Sequence, residues 1–86
     1  MSSIIQTEQY IDVADLGENV ANAYHEFANN CGLVNGERWS WEVGEHGDDS
    51  VCESYIGQEK TDIISAALRE KAGLKDGDIV NIVLQW

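Results

Sequence analysis

At 86 residues the chain makes one domain with one modest core, and its net charge of −11 exceeds the magnitude of about 2–8 that suits a small soluble domain. Hydrophobic residues at 43%, three tryptophans and the lack of proline exclude a disordered or low-complexity chain and a stiff linker. A field of this sign repels nucleic-acid phosphates and anionic membranes, and it attracts basic proteins or cations.

The charge is unevenly placed. Residues 1–59 carry twelve carboxylates against one base, Arg38, whereas residues 60–86 carry four acids and four bases. Residues 1–9 show neither a basic region nor an apolar run, and no stretch reaches transmembrane length. The expectation is a cytoplasmic protein without a signal peptide, in which Cys31 and Cys52 stay as thiols; spacing alone leaves a Cys31–Cys52 bridge open.

In chain order, residues 4–10 read as a first strand. Asp15 and Glu18 have capping-box spacing for a helix. Val20, Ala23, Tyr24, Phe27, Ala28 and Cys31 then recur at three- and four-residue intervals as one apolar stripe, and Gly32 stops it. After the Asn35-Gly36 turn, Trp39, Trp41 and Val43 alternate with Arg38, Ser40 and Glu42, the period of a half-buried strand. Residues 44–49 read as a connecting loop and residues 51–56 as a return strand, so residues 37–55 form a β-hairpin with an acidic tip. Thr61 or a neighbour caps a second helix through Ile63, Ile64, Ala67, Leu68 and Ala72 to Gly73. Asp76-Gly77 turns the chain into the strand 79–86, where Val80, Ile82, Leu84 and Trp86 share one face. The order β-α-β-β-α-β predicts a ferredoxin-like α+β domain over 1–86, a four-stranded antiparallel sheet with two helices on one face.

Chemistry-bearing residues gather in the middle of the chain without a catalytic pattern. Residues 37–55 hold two of three tryptophans, one of two histidines, one of two cysteines and six carboxylates. Glu45, His46, Asp48 and Asp49 lack the short Cys or His pairs of a zinc site and the spacing of a calcium loop, so no metal is expected. His25 and Glu26 read as surface residues of the first helix. Neither cysteine has a base nearby in sequence, and acidic surroundings raise a thiol pKa. No glycine-rich phosphate loop occurs. The expectation is therefore a non-enzyme without cofactor. With Trp39 and Trp41 turned to the helices, the open face would carry Arg38, Ser40, Glu42, Asn81 and Gln85, a polar and acidic face unsuited to RNA.

Residues 64–84, with Gly73-Leu74 and Asp76-Gly77-Asp78 running into Ile79 and Val80, resemble the Leu-Gly-Leu-x-x-Gly-Asp-x-Val segment of the swapped-hairpin transition-state regulators. Those regulators are basic DNA-binding dimers, and the acidity here departs from them; the resemblance assigns no functional residue. In overall character the chain resembles small acidic inhibitors of phages and mobile elements, including anti-CRISPR proteins and DNA mimics. That resemblance implies a protein-binding inhibitor that occupies a basic, nucleic-acid-binding surface of its partner, carboxylates standing in for phosphates. The candidate contact residues are Glu42, Glu45, Asp48, Asp49 and Glu53 on the hairpin, followed by Glu18 and Glu26 on the first helix. Two other readings compete: an acidic adaptor, antitoxin or subunit anchored through Trp39, Trp41 or Trp86, and a DNA-binding regulator.

Overall fold

Among the described residues the sheet has three strands, and the last of them is central. The computed structural model describes residues 10–86, with β1 (Ile11–Asp12), a 3-10 turn (Val13–Leu16), α1 (Glu18–Cys31), β2 (Trp39–Glu42), α2 (Asp48–Ile56), α3 (Gln58–Glu70) and β3 (Ile79–Val83). The strand order is β1-β3-β2. β1 runs parallel to β3, and β2 runs antiparallel to it.

This overturns the ferredoxin-like expectation: the fold is α+β with three helices on a mixed three-stranded sheet. Its cause is local. Residues 51–56, expected as a return strand, belong to α2, so the hairpin does not form. Asp48 and Asp49 open that helix, where carboxylates face the positive end of the helix dipole. Asp49, Cys52 and Ile56 then follow at three- and four-residue steps, and the first two are buried. Gly57, at φ 86°, turns the chain between α2 and α3, a conformation disfavoured for any residue with a Cβ. Residues 4–9 of the expected first strand lie outside the described residues, and Tyr10 is not in a strand.

The first helix follows its stripe. Val20, Ala23, Tyr24, Phe27 and Ala28 are buried, and Gly32 ends α1 in the left-handed conformation. The expected capping box is absent. Asp15 lies inside the 3-10 turn, Gly17 precedes α1 without a side-chain cap, and Asp12 instead caps the 3-10 turn through the Ala14 N–H. Lys71 Nζ donates to the Leu16 carbonyl and so satisfies the end of that turn from α3. Thr61, expected as a cap, is inside α3, where its hydroxyl donates to the Gly57 carbonyl.

The register places Trp39 opposite Ile82 and Trp41 opposite Val80 on one sheet face. That face meets the helices: Trp41 and Ile82 are fully buried in one core with Phe27, Ile64 and Leu68. Phe27 sits edge-on to Trp39, Trp41 and Tyr55, with ring centroids at 5.5–5.8 Å, the arrangement in which aromatic quadrupoles attract. Ser40, Glu42, Ile79 and Asn81 lie on the opposite face, as the alternation predicts. There the Arg38 guanidinium stands 4.3 Å from the Tyr10 ring centroid.

Candidate functional site

The site is built where β2 hands the chain to α2. Trp39 and Trp41 point the same way from β2, and a buried indole N–H needs an acceptor. The two neighbouring aspartates at the start of α2 supply them. Trp39 Nε1 donates to Asp48 Oδ1 at 3.0 Å, and Trp41 Nε1 donates to Asp49 Oδ1 at 3.1 Å. Asp48 Oδ2 also accepts the Glu42 N–H. Asp49 Oδ2 accepts from the Gly44 N–H at 3.0 Å, the Ser65 hydroxyl at 2.9 Å and Arg69 at 3.3 Å. The loop between them closes tightly: a Cβ on Gly47 would stand 2.7 Å from the Glu42 carbonyl oxygen.

These bonds turn Asp48 and Asp49, two of the expected contact residues, toward the protein itself. Asp49 is 7% exposed and turned into the protein, and Asp48 is half-buried with both oxygens occupied from β2. The two are structural acceptors that tie α2 to the sheet.

The helical period gives α2 three aspects. Asp49, Cys52 and Ile56 face the core. Asp48, Val51 and Tyr55 form the flank beside β2. Ser50 and Glu53 form the other flank, and they line a cleft of about 270 Å³ toward α3. Glu45, Asp62 and Asp76 also line that cleft, with Arg69 as the cation in its wall. Arg69 is held there by Asp76 Oδ1 at 2.7 Å, by Asp49 and by the Ser65 hydroxyl. The hydrogen bond to Asp76 raises the Arg69 pKa further. A second depression is lined by Glu42, Glu45, His46 and Asp76, so it shares Glu45 and Asp76 with the cleft. Glu42, Glu45, Glu53, Asp62 and Asp76 are all exposed, and the shared Glu45 and Asp76 join them into one mainly acidic face around Arg69.

The structure brings Glu42, Glu45 and Glu53 together on that face and leaves Glu18 and Glu26 apart from it. Glu26 lies in a separate groove between α1 and α3, paired with Lys60. Glu18 is exposed in the first turn of α1. Asp62, Asp76 and Arg69 were not singled out from sequence. Asp76 reads there as a turn residue, and only the contact of its loop with α3 brings it to the cleft.

The remaining reactive groups are quiet. Both cysteines are free thiols. Burial pushes the Cys52 thiol up to about 11 and raises that of Cys31 as well, so both are protonated near neutrality. Burial also raises Tyr24, whose hydroxyl has no partner in the core. His25 stacks on Trp86 with centroids 4.5 Å apart. Among the described residues no group of three or more His, Cys, Asp or Glu is placed to hold a metal ion, and no helix is long and apolar enough to cross a membrane. Comparison of the chain with protein-family models, with curated proteins and with solved structures finds no match.

Proposed function

We propose that this chain is a non-enzymatic, cytoplasmic inhibitor that binds a basic, nucleic-acid-binding surface of a partner protein, in the manner of DNA mimics and anti-CRISPR proteins. Its contact residues are Glu42, Glu45 and Glu53, joined by Asp62 and Asp76. The observation that carries the reading is the continuity of these carboxylates across two adjoining depressions, in which the exposed Arg69 is already paired with Asp49 and Asp76. Such a surface concentrates basic partners and orients them before contact, and its attraction fades with ionic strength.

The test is capture of the partner by the wild type and by the double variant Glu45→Lys/Glu53→Lys, at salt from about 0.05 M to about 0.5 M. Wild-type capture is expected to fall steeply with salt, and the variant is expected to lose it at every salt. Capture that is indifferent to both changes overturns the proposal.

An adaptor or antitoxin anchored by tryptophan is the second reading. One observation favours it: Trp86 is 44% exposed, while Trp41 is fully buried and unable to serve. Trp86→Ala separates the two readings, since it abolishes an aromatic anchor and leaves a charge-driven contact nearly intact.

A further inference from the structure

We infer that the outer edge of β2, together with the adjoining flank of α2, is a docking strip for an extended segment of the partner that alternates basic and apolar residues and adds to the sheet beside β2. The sign assigned to that segment rests on the acidic-face reading above; the strip itself rests on separate geometry.

β3 lies between β1 and β2, so among the described residues β2 has a neighbour on one side only. Val43 bonds toward β3 through both its N–H, to Asp78, and its carbonyl, from Gly77. Backbone direction alternates along an antiparallel strand, so Trp41 and Trp39 also bond toward β3, while Ser40 and Glu42 turn their N–H and carbonyl groups outward. The outward groups of Glu42 are closed off. Asp48 takes its N–H, and Gly47 packs against its carbonyl. Ser40 has no such cover among the described residues and is exposed. An open edge position is normally blunted by Lys, Pro or a bulge, and here it carries a serine.

The flank of α2 beside this opening is apolar. Val51 and Tyr55, one helical turn apart, are 41% and 44% exposed. Their place is fixed at one end by Asp48, bonded to Trp39, and at the other by Phe27, whose ring touches both Trp39 and Tyr55. A strand added at Ser40 would exchange backbone hydrogen bonds with it and lay alternate side chains on Val51 and Tyr55, the division of labour of β-augmentation. Glu42, two residues along β2 from Ser40, borders the strip, and the net charge of −11 suits Lys or Arg at the intervening positions. A second copy of this chain is the wrong occupant, because it would bring its own −11 charge to the same edge.

The probes are two short synthetic peptides of equal length and charge, one alternating Lys with Val and the other Lys with Gly, titrated calorimetrically. The Lys/Val peptide is expected to bind about tenfold more tightly and to slow hydrogen exchange at the Ser40 amide. Ser40→Pro removes the outward N–H and leaves the rungs at Trp39 and Trp41, so it is expected to erase that advantage. Tyr55→Ser, at an exposed position outside the strand, is expected to erase it independently. Glu45→Lys/Glu53→Lys is expected to weaken both peptides together and leave their ratio intact. Equal binding of the two peptides to the wild type overturns the docking strip and leaves the acidic-face reading standing. An advantage that survives both Ser40→Pro and Tyr55→Ser also overturns the strip. A charge reversal that affects neither peptide instead overturns the acidic-face reading and, with it, the basic character assigned to the segment.

Discussion

Asp48 and Asp49 are adjacent in the chain, and each accepts an indole N–H from β2, yet they belong to different regions. Asp49 lies in a closed region, buried, with three further donors from the following loop and from α3 converging on one oxygen. Asp48 lies in an open region at the sheet edge, half-buried, and among the described residues its second oxygen serves only the Glu42 N–H. The difference shows that a count of carboxylates does not separate solvating charge from structural charge. What separates them is whether donors from other elements converge on the group.

The strongest test of this contrast is truncation. Asp49→Ala strands the Trp41 indole, the Gly44 N–H and the Ser65 hydroxyl in a buried setting and takes a partner from Arg69. The expected loss is about 3–5 kcal/mol in urea unfolding, the range for breaking a buried charged network. Asp48→Ala frees an exposed N–H that water can satisfy and a half-buried indole, and should cost about 1–2 kcal/mol. Equal losses would break the comparison.

The pH dependence sharpens it next. Cys52, one turn beyond Asp48 and Asp49 on the core side of α2, has its thiol pushed from 9.0 to about 11, chiefly by burial. The folded chain therefore holds this proton where the unfolded chain releases it. The stabilisation is fully present below about pH 9 and is lost as pH rises toward about 11. Tyr24 is raised in the same sense from 10.0. Urea midpoints taken across that window should fall with pH, and Cys52→Ala should flatten the part of the slope that begins near pH 9. An unchanged slope would mean that the closed region is wetter than its packing indicates.

The smallest effect concerns the unsatisfied group of the closed region. The Tyr24 ring packs against Trp41 and its buried hydroxyl has no hydrogen bond among the described residues, so Tyr24→Phe should be neutral or stabilise by up to about 1 kcal/mol in thermal melts. A destabilised variant would reveal a partner for that hydroxyl.

Much of the core was legible from spacing. The stripe of α1, its stop at Gly32, the inward facing of Trp41 and Val43, and the burial of Ile64, Ala67 and Leu68 all follow from periodicity and turn chemistry. The α2 segment was not legible as read, for a physical reason. Val51 and Tyr55 have strand-like side chains, and a glycine-rich acidic stretch before them suits a hairpin. The opposing signals were present: two acids where a helix begins, apolar residues at Cys52 and Ile56, and Gly57 as a stop. So was the need of two indoles for acceptors. Charge density alone placed Asp48 and Asp49 on the surface, whereas the tertiary contacts of Ser65 and Arg69, distant in sequence, draw Asp49 inward. The acidic face was half legible, because Glu42, Glu45 and Glu53 are local to one stretch and Asp62 and Asp76 reach it only through the packing of α3 and its following loop.

The closure of Gly47 onto the Glu42 carbonyl has a consequence for colloidal behaviour. The chain keeps copies of itself apart by two barriers of different reach. Like charge acts over tens of ångströms in dilute buffer and shrinks to a few in concentrated salt. The glycine acts at contact and does not depend on salt. Any side chain at 47 would lift the loop from Glu42 and extend the row of unpaired backbone groups that begins at Ser40. Such a chain would stay dispersed in dilute buffer and become self-adhesive in brine, where charge no longer holds the widened edges apart.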